Sequence, residues 1–244
     1  MTLDKKVAIV TGSSKGIGRE VAIQLAKKGV SVVVNHSNSE AEAKETLDTI
    51  KSYGGTAIAV KADVSKRDEV SQLFDKALKH FGKIDVLVNN AGIMISKELK
   101  DNTQDDFSRQ FDVNVRGTFN TLQEAHCKLS DNGNIINFSS STAKLMFPTY
   151  SLYSATKAAV EQMTRVFSKE VGRGISVNAI APGATETELF MEGKSEETIA
   201  KLSSMNAFNR LAQPIDIANV VVFLASDESK WISGQVVGAN GALV

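Results

Sequence analysis

Tyr153 and Lys157 stand four residues apart in a run of helical periodicity, which puts them on one face, a turn apart. A phenol titrates at about 10 and is a poor acid or base near neutrality, but an adjacent ammonium favours the phenolate and lowers that value. The pair suits proton transfer to or from an alcohol or carbonyl oxygen. Such pairs also arise by chance, and Tyr150 provides a control: four residues after it stands Ser154, so only Tyr153 has the lysine. Upstream, Ser139, Ser140 and Ser141 end a strand-like run. A hydroxyl there can hydrogen-bond a substrate oxygen or simply cap the next element. Asn114 lies in a helical stretch, where asparagine is unfavourable. It is a solvent-facing residue, a kink, or a polar group turned towards a site.

A second cluster suits a dinucleotide. Thr11-Gly12-Ser13-Ser14-Lys15-Gly16-Ile17-Gly18 follows the first strand-like run and opens a helix. The spacing G-x-x-x-G-x-G differs from G-x-G-x-x-G, but the physics is shared: a tight turn, close backbone approach, and helix N–H groups facing a pyrophosphate. The bland alternative is a glycine-rich connection with no ligand. No Gly-Lys-Ser/Thr ending is present, which excludes a nucleoside-triphosphate P-loop. Enzymes that use NAD place a carboxylate at the end of strand two, about 20 residues past the glycines, to meet the ribose. Here that segment reads Asn35-His36-Ser37-Asn38, with no acid before Glu40, while Lys15 supplies a cation inside the loop. The missing acid and the present base favour NADP(H), with NAD(H) use left open.

These residues need strands and helices to hold them. Val7–Thr11, Val32–Val34, Ala57–Val60, Asp85–Val88, Asn134–Phe138, Ile175–Ile180 and Gln235–Val237 read as short strands, mostly continuous apolar runs that suit a buried parallel sheet. Helical patterns alternate with them: about Ile17–Lys28, Ser39–Tyr53, Lys66–Phe81, Leu152–Val171 and Pro214–Ala225. A longer one reaches from Thr103, with Asp106 as a capping-box partner, to about Leu129. The alternation implies an α/β fold: one single-domain, doubly wound, Rossmann-like parallel sheet of about seven strands over residues 1–244, with helices on both faces. The polar, weakly periodic stretch 188–210 reads as an insertion near the strand ends and hence as a substrate lid.

Composition narrows the function. Lys+Arg and Asp+Glu both number 28, so no basic excess points to nucleic acid. No apolar run is long enough to span a bilayer and no secretory leader is evident, so a cytoplasmic protein is expected. The lone Cys127 can form no internal disulfide and reads as a small core residue. His36, His80 and His126 show no metal spacing, so no metal is expected. Trp231 and Phe223 read as core or subunit-contact residues, and the charges from Glu40 to Glu45 as a solvated face. Met146, Phe147, Phe190, Met191 and Met205 flank the expected mouth of the site, as packing or as an apolar substrate pocket.

Taken in order, Thr11–Gly18, Asn89-Asn90-Ala91-Gly92, Asn114, Ser140, Tyr153-Ser154-Ala155-Thr156-Lys157 and Pro182-Gly183 resemble the short-chain dehydrogenase/reductase family over essentially the whole chain. The resemblance implies that Tyr153 is the catalytic acid/base, and that Lys157 lowers its pKa and holds the nicotinamide ribose. It implies that Ser140, thirteen positions before the tyrosine, stabilises the substrate oxygen, and that Asn114 maintains a water relay to Lys157. By the same resemblance Gly12, Ser14, Lys15, Gly16, Ile17 and Gly18 bind the cofactor phosphates and Asp63 and Val64 the adenine. Asn90, Ala91 and Gly92 form the floor, Pro182, Gly183, Thr185 and Thr187 the nicotinamide side, and His36 or Ser37 touches a 2′-phosphate. A homotetramer is implied too, although the C-terminal Gly238-Ala239-Asn240-Gly241-Ala242 departs from the family's usual Val-Asp-Gly-Gly. The expected activity is NADPH-dependent reduction of a small or medium ketone or aldehyde, or oxidation of the matching alcohol. Two alternatives stand beside it: a 3-oxoacyl-acyl-carrier-protein reductase and a regulatory protein that binds NADP(H) without catalysis. The turn Asp131-Asn132-Gly133 lacks the basic residue that carrier-protein reductases of the family tend to have, whereas Arg173 matches one.

Overall fold

The computed structural model describes residues 3–244. Val7–Val10 forms β1, buried along its whole length, as an apolar run covered on both sheet faces must be. It is followed by α1 (Gly16–Lys27), β2 (Ser31–His36), α2 (Glu40–Ser52), β3 (Ala57–Lys61), α3 (Arg67–Phe81) and β4 (Val86–Asn89). The second half runs α4 (Gln104–Phe111), α5 (Gly117–Lys128), β5 (Asn134–Phe138), α6 (Ser151–Glu170) and β6 (Ser176–Pro182). The chain finishes with α7 (Glu188–Met191), α8 (Glu196–Ser204), α9 (Pro214–Leu224) and β7 (Val236–Ala239). All pairings are parallel, in the order β3-β2-β1-β4-β5-β6-β7. The doubly wound sheet expected from the alternation is the sheet observed.

Strand order reverses at β1, whose Val10 is level with Val34 of β2 and Val88 of β4. The loops after these strands therefore open side by side, where doubly wound sheets bind ligands. Successive β1 residues feed opposite cores. Ala8 and Val10 pack with Leu25 of α1 and Val221 of α9, and Ile9 packs with Phe74 of α3 and Leu122 of α5.

Several sequence expectations need correction. The stretch from Thr103 begins as expected: Asp106 N–H donates to the Thr103 hydroxyl at 3.0 Å, and Thr103 N–H to the Asp106 carboxylate at 3.0 Å. It is not one α-helix, because Asp112–Arg116 forms a π-helical turn between α4 and α5. The wider turn rotates Asn114 inward, to 1% exposure, so the solvent-facing alternative falls. Cys127 is exposed: Leu122 and Ala125 occupy the buried stripe of α5, and a residue two beyond Ala125 points away from it. Trp231 is fully exposed and is no core residue. The weakly periodic stretch holds two helices, α7 and α8, started by the side chains of Thr187 and Ser195 accepting from Phe190 N–H and Thr198 N–H.

Candidate active site

The glycine loop owes its path to contacts that exclude side chains. Thr11 N–H donates to Val88 O at 2.9 Å and Ser13 N–H to Asn35 O at 2.9 Å, tying the loop to β4 and β2. Gly12 takes φ +59°, and a Cβ there would lie 2.9 Å from Ala91 Cα. At Gly18 a Cβ would lie 2.4 Å from Asn90 Nδ2 and 2.5 Å from Gly12 O. The Asn90 amide itself donates to Thr11 O and Gly12 O, both at 2.9 Å. Lys15 occupies the N-cap of α1 and makes no side-chain hydrogen bond to its first turn. Its ammonium instead reaches Glu188 of α7 at 3.3 Å.

A cavity of about 960 Å³ runs from this loop past the ends of β2 and β3. Of the expected cofactor residues, Gly12, Ser14, Lys15, Gly16, Ile17 and Gly18 line it, with His36, Ser37, Asp63, Val64, Asn90, Ala91, Gly92 and Thr187. His36 is buried and its Nδ1 has no partner. Burial lowers its pKa; Glu40 opposes this, Lys61 adds to it, and Glu42 opposes it. Asp63 is turned back on its own loop, accepting from Ser65 N–H at 2.9 Å and Ser65 Oγ at 2.7 Å.

A second cavity, of about 180 Å³, adjoins the first through Asn90, Gly92 and Thr187. The remaining expected residues meet in it: Ser140, Tyr153, Lys157, Pro182, Gly183 and Thr185. Asn114 lines neither cavity. Its amide Oδ1 accepts from Ile93 N–H at 2.8 Å, and its Nδ2 donates to Ile93 O at 2.9 Å and Thr156 Oγ1 at 3.1 Å. Asn114 thus clamps the loop backbone at Ile93, next to Gly92, where a Cβ would lie 3.2 Å from its Oδ1 and 3.5 Å from Lys157 Nζ.

Burial dominates both central ionisable groups. It pushes the Tyr153 phenol up to about 12; the Ser140 hydroxyl works against it and Tyr150 adds to it. It pulls Lys157 down to about 8. Burial is thus the largest cause of both shifts. Lys157 Nζ donates to Phe138 O, at the tip of β5, at 2.9 Å. Ser140 Oγ accepts from Thr142 N–H at 3.2 Å and is 3.0 Å from Thr142 Oγ1, which donates to it. That arrangement leaves the Ser140 hydrogen for an acceptor in the cavity.

Phe147, Phe190 and Met205 line this second cavity as expected, whereas Met191 does not and Met146 is almost fully exposed. Sequence reasoning missed Met94, Leu145, Tyr150, Leu189 and Leu202 in its wall. Tyr150, set aside for lacking a lysine, packs edge-on to both Phe147 and Tyr153 at 6.1 and 6.3 Å between ring centroids. Its place one turn before Tyr153 on the same helix face was the available signal. Arg173 is engaged structurally, donating to Leu129 O at 2.7 Å, His126 O at 2.6 Å and the Asp131 carboxylate at 3.2 Å. Among the described residues no group of three His, Cys, Asp or Glu is placed to hold a metal ion. Nor is any helix there long and apolar enough to cross a membrane.

A doubly wound sheet with a glycine loop at the strand-order reversal, and a Tyr/Lys/Ser cavity beside it, defines an oxidoreductase fold and site. The family described as enoyl-(acyl carrier protein) reductase matches residues 12–242. A short chain dehydrogenase of Passalora fulva is 42% identical over 98% of this chain and 94% of its own length. The versicolorin reductase of Emericella nidulans is 41% identical over 98% of this chain and 96% of its own. A short chain dehydrogenase from Burkholderia cenocepacia, solved in complex with NADP, superposes with a TM-score of 0.94 at 33% identity, covering 100% of this chain and 99% of that one. The chain belongs to the short-chain dehydrogenase/reductase family.

Proposed function

We propose that this chain is an NADP(H)-dependent reductase of ketones or aldehydes, with Tyr153 as the proton donor. The observation that carries the reading is the convergence of Tyr153, Ser140 and Lys157 on a cavity that opens onto the glycine-loop cavity. The residues fit a dinucleotide: the loop at Gly12 and Gly18 leaves no room for a Cβ, and the buried His36 Nδ1 is unpartnered. The solved relative in complex with NADP supports the phosphorylated cofactor, as do Lys15 and the absence of an acid from the end of β2. When bound, the dinucleotide supplies the hydride. Ser140 donates its free hydrogen to the substrate oxygen, Tyr153 delivers the proton, and Lys157 anchors the β5 tip while its other N–H groups are available to a ribose hydroxyl. Asn114 keeps the backbone at Ile93 in place behind Gly92, and the lid residues Leu189, Phe190, Leu202 and Met205 close an apolar wall over the substrate.

The apolar wall, with four aromatic residues (Phe138, Phe147, Tyr150 and Phe190) beside Tyr153, supports a hydrophobic ketone as substrate. Arg173, spent on helix and turn carbonyls, lends no support to a carrier-protein partner. Phe119 and Val166 are exposed on α5 and α6 and support a homo-oligomer covering that face.

The test is loss of NADPH absorbance with α-tetralone, phenanthrenequinone, ethyl acetoacetate and acetoacetyl-coenzyme A, repeated with NADH. Turnover with NADPH on at least one carbonyl is expected. Tyr153→Phe should lower kcat by about 10²–10⁴ and leave the NADPH dissociation constant unchanged. Retained turnover in that variant overturns the assignment of Tyr153. NADPH binding with no turnover of any carbonyl favours the regulatory reading.

A further inference from the structure

The helix that carries Tyr153 and Lys157 continues the same stripe with Glu161 and Arg165, each four residues on. Glu161 has no place in the chemistry above, yet its side chain is only 8% exposed. A buried carboxylate is costly unless every lone pair has work. Here Glu161 Oε1 accepts from Ser139 Oγ at 2.8 Å, and Glu161 Oε2 accepts from Arg165 Nη2 at 3.0 Å. Arg165 is half-exposed and brings the counter-charge in from solvent.

Ser139 matters because of its neighbours in sequence. Phe138, immediately before it, gives the carbonyl that accepts from Lys157 Nζ at 2.9 Å. Ser140, immediately after it, is the hydroxyl beside the Tyr153 phenol. Ser139 is 3% exposed, and its own N–H donates to Ile180 O of β6 at 2.8 Å. The tip of β5 is thus fastened to α6 at two successive helical turns, once by Lys157 to Phe138 and once by Glu161 to Ser139. Beyond Ser139 the chain leaves the sheet, and a 3₁₀ turn starts at Ser141. Without the Glu161 tie, the one side-chain bond holding Ser139 to the helix is gone just where Ser140 must be aimed.

The geometry points to Glu161 as a positioning residue for the Ser140–Tyr153–Lys157 centre, acting through the Ser139 hydroxyl. It touches neither cavity and transfers no proton. Its work is to fix the distance between the β5 tip and the helix face that bears Tyr153. This rests on the reductase reading above, since there is otherwise no reaction to align.

The experiment compares Glu161→Leu, Glu161→Gln, Ser139→Ala and the double variant Ser139→Ala/Glu161→Leu. The substrate is whichever carbonyl of the panel the unmodified protein reduces fastest, with NADPH affinity by fluorescence and Tm measured alongside. Misplacement of a reacting group by about 1 Å can cost about a hundredfold, so Glu161→Leu and Ser139→Ala should each lower kcat at least about tenfold. The NADPH dissociation constant should stay within about threefold for both, since neither residue lines the cofactor cavity. KM should stay within the same range for Glu161→Leu, since Glu161 lines neither cavity, whereas Ser139 also lines the substrate cavity, so its variant is read on kcat. Glu161→Gln keeps an acceptor for Ser139 and should retain most of kcat. The double variant should be no slower than the worse single one, because both remove the same bond. A Glu161→Leu protein that loses Tm but keeps kcat overturns the inference. So does a Glu161→Gln protein as slow as Glu161→Leu, which would make charge the operative property. Should Glu161→Leu fail to fold, Ser139→Ala and Glu161→Gln carry the same expectations. Absence of turnover by the unmodified protein on every carbonyl overturns the reductase reading and this one together, whereas turnover insensitive to these variants overturns this one alone.

Discussion

Replacing Lys157 by methionine removes a buried ammonium whose pKa burial pulls down to about 8 from 10.5. Between those two values the unfolded chain holds more protons than the folded one, so stability rises with pH across the window. At about 1.4 kcal/mol for each pH unit between the two values, burying the charge costs about 3 kcal/mol at pH 7. About 2 kcal/mol of that cost disappears between pH 8 and pH 10. The thioether side chain of the variant would carry no such cost. The variant also loses the hydrogen bond from Nζ to Phe138 O, worth about 1 kcal/mol, which offsets the curve without adding slope. Tyr153, held up at about 12, begins to matter only above pH 10, where stability falls because the unfolded phenol ionises first. Urea unfolding of both proteins from pH 7 to pH 10 isolates the effect, because every other titrating group cancels in the difference. The natural protein should gain about 2 kcal/mol on the variant between pH 8 and pH 10. A difference flat to within about 0.5 kcal/mol would refute the idea that burial, rather than pairing, sets the state of Lys157.

Gly18→Ala forces a Cβ to 2.4 Å from Asn90 Nδ2 and 2.5 Å from Gly12 O. The loop must open, so NADPH affinity by fluorescence titration should fall at least about tenfold, and unchanged affinity would argue against phosphate binding by this loop. Lys15→Ala frees Glu188 and removes the loop's cation. It should lower the preference for NADPH over NADH by about tenfold, the worth of one charge-assisted hydrogen bond, and an unaltered ratio of dissociation constants would remove Lys15 from 2′-phosphate recognition. Thr103→Ala breaks the capping box that starts α4. A loss of about 1 kcal/mol in urea unfolding, with kcat unaffected, is expected.

The sheet was legible because seven apolar runs alternate with helical periodicity, and the glycine loop was legible because its spacing follows a buried strand. The π turn at Asp112–Arg116 was not, since an extra residue per turn leaves no mark on a helical pattern that continues on both sides. Asn114 hinted at it: an asparagine in mid-helix is tolerated when its amide satisfies a backbone elsewhere, here at Ile93. The helices in the 188–210 stretch were hidden by their composition. Glu188, Glu192, Glu196 and Glu197 give the segment the look of a solvated loop, yet Leu189, Phe190, Leu202 and Met205 line the cavity from it.

The reading of Tyr153 and Lys157 as a pair changes most once burial is weighed. Sequence spacing suggests an ammonium that draws the phenol down, but both side chains sit where water is excluded, and desolvation drives each towards its neutral form. The Ser140 hydroxyl opposes this at Tyr153. Ser140 adjoins the Tyr153 phenol as well as the cavity, and it follows directly on the β5 tip that Lys157 and Glu161 fasten to α6. A phenol held at about 12 is protonated throughout the neutral range, which is the state that donates to a developing alkoxide. Under the proposed reading, that protonation state suits Tyr153 as the donor in carbonyl reduction.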